Sequence, residues 1–339
     1  MARVFLWVFG GLVLLVGLGS VVLFEADLPA AEVDARYTNA ESQFLLLPSG
    51  ARVHYRDQGN RTGLPVVLLH GSNASLHTWE ALIVELGDTY RVITLDLPAH
   101  GLTGQVPDNN YSMQAYVDAT LAVTDHLALD QFVLGGNSMG GGVTWQLALQ
   151  QPSRVLAMLL LNSSAPGYLR QTATVDQSSN NRQGPLAFRL LRQPWFRSLA
   201  QRLDTEWLVK QGLMSAHYDP AIVTDALIAR YYELSMRAGS REATLARFNQ
   251  PRTTVSAAQF EALTQPSLVL WGAEDAVIPV SVGDLLHEAL PNSELVVFDQ
   301  IGHIPMEEDP QATAKEIRNF LLQSLGSLSG CQDGTEECR

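Results

Sequence analysis

Six short apolar runs recur along the chain: "PVVLLH" (65–70), "RVITLDLP" (91–98), "QFVLGGNS" (131–138), "LAMLLLNSS" (156–164), "PSLVLWG" (266–272) and "SELVVFD" (293–299), with helical patterns between them. This alternation restricts the fold more than any other feature. Runs this apolar suit strands buried on both faces, and strands separated by helices build a parallel sheet with helices on either side. Ahead of them, "FLLLPSGARVHYRDQG" (44–59) reads as two strands joined by a Pro-Ser-Gly turn. The expectation is an α/β fold with a mostly parallel eight-stranded sheet. With 339 residues, 46% of them apolar, the chain can bury a core of that size.

The alternation is interrupted once. Between Ala165 and Val255 no strand-like run occurs, and the patterns are helical, as in "PWFRSLAQRLDTEWLVKQGLM" (194–214). There Trp195, Phe196, Leu199, Leu203 and Trp207 fall on one face, with Arg197, Arg202, Asp204 and Lys210 elsewhere, so the stripe is expected to pack onto the sheet domain. The polar "RQTATVDQSSNNRQGP" (170–185) suits a connector. This helical insertion holds 12 Lys and Arg against 7 Asp and Glu in a chain of net charge −13, which marks it as a module of its own with a solvated basic face. A net charge of −13 without a basic stripe argues against nucleic acid as a partner.

Residues 4–24, "VFLWVFGGLVLLVGLGSVVLF", carry no charge and are long enough to span a bilayer as one helix. A cleaved signal peptide has a shorter apolar stretch, and Leu28-Pro29-Ala30 is a poor cleavage site, so an uncleaved anchor is expected. Arg3 precedes the segment and Arg36 is the first basic residue after it, which places the remainder outside the cytoplasm. Residues 25–43 then read as a linker and 326–339 as a tail. The tail holds both cysteines, Cys331 and Cys338, which either close a small loop or are unrelated thiols.

The glycine cluster "LGGNSMGGG" (134–142) demands a special backbone. A phosphate cradle needs G-x-G-x-x-G or G-x-x-x-x-G-K-[ST], and neither is present. Instead Gly136-Asn137-Ser138-Met139-Gly140 matches G-x-S-x-G between an apolar strand and the helical "GGVTWQLALQQP". That context is a nucleophile elbow, in which tiny neighbours give the serine room on a sharp turn. A serine hydroxyl needs a base and a group that orients the base. His303, in "FDQIGHIPMEEDP", and Asp275, in "LVLWGAEDAVIP", both follow strands, with Glu274 as the alternative acid. Open α/β sheets build their sites at these carboxyl ends. The remaining histidines show no metal-ligand spacing, so neither a metal nor another cofactor is expected.

On these motifs the chain resembles the α/β-hydrolase-fold enzymes from Phe44 to Leu325, with a core of 44–164 and 256–325 and the insertion 165–255 as a helical cap. "HGSNASLHTW" (70–79) resembles the family's oxyanion loop, and "DLPAHGLTG" (96–104) resembles the turn after its next strand, departing from that pattern at Thr103. The resemblance implies a catalytic triad of Ser138, His303 and Asp275. It also implies backbone donors to the oxyanion from Met139 and from Ser72 or Asn73, with His70 bracing the loop. Met139 and Trp271 either wall the pocket or pack within the sheet, and Asn137 is a further pocket candidate. The implied activity is hydrolysis of carboxylic esters, lipid-derived ones included, as in membrane-anchored monoacylglycerol lipases. Hydrolases of carbon–carbon bonds in ring-fission products, whose elbow is often G-N-S-x-G, are similar, as are peroxide-using relatives. Serine at 138 excludes the aspartate chemistry of epoxide hydrolases and haloalkane dehalogenases. A silent binding protein at the membrane is the alternative from another class.

Overall fold

Each apolar run forms a strand. The computed structural model describes residues 25–172, 204–247, 250 and 254–326. Its strands are β1 (Ser42–Leu46), β2 (Arg52–Gly59), β3 (Pro65–Leu69), β4 (Arg91–Leu95), β5 (Phe132–Asn137), β6 (Val155–Leu161), β7 (Ser267–Gly272) and β8 (Ser293–Phe298). The helices in chain order are α1 (Ala30–Tyr37), α2 (Glu80–Leu86), α3 (Met113–His126), α4 (Met139–Gln150), α5 (Gly167–Thr172), α6 (Glu206–Ala216), α7 (Asp225–Met236), α8 (Ser240–Arg247), α9 (Ala257–Glu261), α10 (Ser281–Ala289), α11 (Pro305–Glu308) and α12 (Pro310–Leu325). One sheet holds all eight strands in the order β1-β2-β4-β3-β5-β6-β7-β8. β2 runs antiparallel to β1 and β4, and the other pairs are parallel.

Side-chain alternation explains why the central strands read as unbroken apolar runs. In β3, Val67 and Leu69 enter a core shared with Val117 and Val123 of α3, Trp145 of α4 and Leu286 of α10. Val66 and Leu68 enter the opposite core, with Leu82 of α2 and Ile317 and Phe320 of α12. Both faces are covered, so no polar residue alternates in.

The loops at the carboxyl ends are knotted by Asp96, which follows β4. One carboxylate oxygen accepts from Leu76 N (2.7 Å), and the other from Leu102 N (2.8 Å) and His54 Nδ1 (2.7 Å). Burial opposes the charged form, but the His54 hydrogen bond and the positive potential around it prevail and hold the carboxyl well below its usual range. Asp96→Ala strands buried donors and is expected to cost about 3–5 kcal/mol in urea unfolding. Because the folded-state value is depressed, the Asp96 contribution is complete above the unfolded value of about 4 and is lost as pH falls toward the folded value.

Three expectations change. Residues 25–43 are a strap rather than a free linker: Leu28 N donates to Met236 O (2.7 Å), and Asp34 forms a two-pronged ion pair with Arg237 (2.7 and 3.2 Å). The strap thus ties α1 to the end of α7. The helix expected over 194–214 does not run through, since Asp204 and Thr205 are non-helical and α6 starts at Glu206. Trp207, expected on the packing stripe, is 68% exposed, and Leu213 and Ala216 are buried in its place. The reason is phase: a stripe projected from Trp195 cannot hold across the interruption. Among the described residues, no helix is long and apolar enough to cross a membrane. Residues 4–24, Trp195 to Leu203, and Cys331 and Cys338 lie outside the described residues.

Candidate active site

β5 ends at Asn137 and α4 begins at Met139, so Ser138 alone makes the turn, at φ 53° and ψ −114°. A side chain in that region is strained by roughly 1–3 kcal/mol. The turn closes only because its neighbours lack side chains. A methyl group at Gly136 would lie 2.3 Å from Gly140 C, and one at Gly140 would lie 2.1 Å from Leu69 O. Ser138→Gly is therefore expected to be inactive yet at least as stable as the parent in thermal unfolding, since glycine adopts this φ without penalty.

Asp275 lies beyond the end of β7 with its carboxylate fully enclosed. Oδ1 accepts from Val277 N (2.7 Å) and Ile278 N (2.8 Å). Oδ2 accepts from Asn162 Nδ2 (2.7 Å) and stands 2.7 Å from His303 Nδ1. A carboxylate only accepts, so the His303 proton sits on Nδ1 and leaves Nε2 as the basic nitrogen. Glu274 is exposed and takes no part.

Asn162, just past β6, was not legible in the sequence. It adopts φ 43° and also donates to Gly302 O (3.2 Å), fixing both Asp275 and the loop that carries His303. Asn162→Ala is expected to lower kcat by about tenfold and to cost roughly 1–2 kcal/mol in stability, read from steady-state kinetics and a melting curve. The cap holds the same loop from the other side. His303 N donates to Ala216 O (2.6 Å), and Glu308 accepts from Gly302 N (2.8 Å) and Tyr218 N (2.7 Å).

The loop expected to meet the oxyanion follows β3. A methyl group at Gly71 would sit 3.2 Å from Ser138 Cβ, so this loop abuts the nucleophile turn. Ala74 N donates to Gly71 O across a turn in which Asn73 has φ 61°. Ser72 Oγ lies 3.5 Å from Met139 Sδ, which puts Ser72 opposite the first residue of α4, where helix amides point outward. His70 has both ring nitrogens engaged, with Gly71 O (2.7 Å) and Leu97 N (3.0 Å), and so braces this loop.

Of the pocket candidates, Trp271 takes the alternative of sheet packing and Asn137 is corrected. Trp271 is fully buried in the core, donating to Ile278 O (3.0 Å) and packed on Gly283, because its place in β7 points it toward α10. Asn137 is also buried and donates to Leu161 O (3.2 Å) and His303 O (3.0 Å), so it positions the His303 loop rather than lining open space. A crevice of about 250 Å³ between α7 and the Leu76–Trp79 turn, walled by Thr78, Glu80, Arg230, Tyr231 and Glu307 among others, includes none of Ser138, Asp275 and His303. Among the described residues, no cluster of His, Cys, Asp and Glu could hold a metal.

The family described as alpha/beta hydrolase fold matches residues 65–310, and the chain belongs to it. A 2-hydroxymuconate semialdehyde hydrolase from Pseudomonas putida is 29% identical over 294 residues, covering 82% of this chain and 94% of that protein. A meta-cleavage product hydrolase from Pseudomonas fluorescens superposes with a TM-score of 0.69 at 26% identity, over 84% of this chain and all of the other. A thermophilic esterase from Thermogutta terrifontis superposes with a TM-score of 0.65 at 26% identity, over 84% and 99%. The chain is accordingly a hydrolase of this fold.

Proposed function

We propose that the chain hydrolyses carboxylic esters through an acyl-enzyme on Ser138. The observation that carries this reading is the 2.7 Å contact of His303 Nδ1 with an enclosed Asp275, in a loop anchored by Asn137, beside a serine held on a strained turn. In this reading Ser138 Oγ attacks the ester carbonyl while His303 Nε2 takes its proton, and Asp275 stabilises the imidazolium. The oxyanion is met by the N–H groups of Met139 and of Ser72 or Asn73, each worth roughly 3–4 kcal/mol. His303 then protonates the departing alcohol, and a water activated by the same nitrogen releases the acid. The reaction needs no metal or other cofactor.

We also propose that residues 4–24 anchor the chain in a membrane, with the catalytic part outside the cytoplasm. Lipid-derived esters would then lie within reach, because residues 25–28 leave that segment stapled to the cap through Asp27–Arg241 and Leu28–Met236. Carbon–carbon bond hydrolysis of ring-fission products is the second reading, favoured by the likeness to the Pseudomonas putida hydrolase. A fluorophosphonate probe is expected to label Ser138 and to leave Ser138→Ala unlabelled; absence of labelling on folded protein contradicts the serine hydrolase. Turnover of p-nitrophenyl esters with inertness toward dienol diketones favours the first reading, and the reverse favours the second.

A further inference from the structure

The edge of the cap is pinned to the loop that carries His303. Ala216, the last residue of α6, accepts from His303 N at 2.6 Å, and Tyr218 N donates to Glu308, whose other oxygen accepts from Gly302 N. The approach is close: a methyl group at Gly302 would lie 2.5 Å from Ala216 O and 2.9 Å from Tyr218 N. His217 stands between these two residues, so whatever fixes its side chain fixes both contacts. That side chain is buried. Nδ1 is 2.9 Å from Leu213 O, a carbonyl that can only accept, so Nδ1 carries a proton. Nε2 is enclosed and faces Glu307 Oε2 at 3.4 Å. Glu307 Oε1 accepts from Thr78 Oγ1 and from Tyr231 OH at 2.7 Å. One carboxylate just beyond His303 thus gathers the end of α6, α7 and the Leu76–Trp79 turn.

A neutral His217 protonated at Nδ1 would set a bare lone pair on Nε2 against a carboxylate, two acceptors with no proton between them. Only a second proton completes the arrangement, and it makes an imidazolium–carboxylate pair. We infer that His217 is a positioning residue: it shares this proton with Glu307 and so keeps the cap edge docked on the loop that carries His303. This deepens the hydrolase reading and rests on it for the role of His303. Burial opposes the charged imidazole, but the Glu307 carboxylate and the Leu213 carbonyl prevail and raise its pKa above the ordinary value. The other titratable or charged groups around the pair have partners of their own or stay neutral. Glu308 accepts from its two backbone amides, and Arg230 donates to Glu80 at 2.7 Å. Burial keeps the Tyr231 phenol neutral and lowers the His77 imidazole to about 4. Because the folded-state value of His217 is raised, the docking contribution is complete below the unfolded value of about 6.5 and is lost as pH rises through the folded one.

The test follows hydrogen exchange at the His303 amide in the full chain, resolved by fragmentation mass spectrometry and corrected for the intrinsic pH dependence of exchange. No turnover is involved, so its outcome is separate from a failed fluorophosphonate reaction. In the parent, protection of this amide is expected to fall about tenfold between about pH 6 and about pH 9, while the β3 amides keep theirs. His217→Gln offers Glu307 an amide N–H at every pH, so its protection should stay high and flat. His217→Leu leaves Glu307 its Thr78 and Tyr231 donors but no third, so protection should be flat at about one-tenth of the parent's low-pH value. On the alkaline side, kcat for p-nitrophenyl esters should follow the same three patterns with KM within about twofold, since the place of His303 changes and the substrate contacts do not. A parent whose His303 protection does not fall overturns the inference, and that arm stands even if neither variant folds. A fall that persists in His217→Gln overturns it too, as does an exchange pattern that kcat ignores.

Discussion

Ser138→Ala is expected to lower kcat for p-nitrophenyl ester hydrolysis by about 10⁶-fold, with a melting temperature within a few degrees of the parent. The size follows from the geometry. His303 is oriented by Asp275 at 2.7 Å, but without the hydroxyl it has no nucleophile to deprotonate, and only the loop donors and substrate binding remain. The strain at φ 53° persists in alanine, so little stability is expected to change. Steady-state assays of protein free of parental contamination, alongside calorimetric melting, check both parts. A loss of only tenfold would mean that another group performs the chemistry.

Asp275→Asn is expected to lower kcat by about 10⁴-fold while leaving the backbone in place. The asparagine carbonyl can still accept from Val277 N and Ile278 N, which hold Oδ1 now at 2.7 and 2.8 Å. Its amide must then face His303 Nδ1 and Asn162 Nδ2, two groups that at present donate to this position. Donor meets donor. His303 escapes by moving its proton to Nε2, the tautomer that cannot accept from Ser138. Activity is expected to recover partly at high pH, because hydroxide can take the Ser138 proton in place of the imidazole; a rate within tenfold of the parent at neutral pH contradicts this account.

Much of this architecture is legible in the sequence, for a physical reason. Strands buried on both faces must be apolar at every position, so β3, β5, β6 and β7 announce themselves as continuous runs, and helices fill the gaps between them. Ser138, Asp275 and His303 are legible because each sits just past such a run, where the chain turns and side chains converge. Which face a residue takes is harder to see. Trp271 and Asn137 lie at the correct ends of their strands, but one faces the α10 layer and the other the base loop, a distinction fixed by packing across the sheet. Asn162 is invisible to motif reasoning, since its role depends on Asp275, 113 positions away. Trp207 shows the remaining failure, a helical period projected through a break at Asp204 and Thr205.

The strap of residues 25–43 also bears on how the cap is held. Its Asp34–Arg237 and Tyr37–Glu233 contacts tie the segment after the N-terminal apolar run to α7. The loop bearing His303 is in turn held by Ala216 at the end of α6. Cap and catalytic loops form one connected assembly.

The acyl-enzyme itself offers the most direct measurement. Rapid acid quenching during the burst phase with a p-nitrophenyl ester, followed by peptide mass spectrometry, is expected to find the acyl group on the peptide carrying Ser138 and on no other. A burst of p-nitrophenol without added mass at Ser138, or with the added mass on another residue, would contradict the assignment of this serine as the nucleophile.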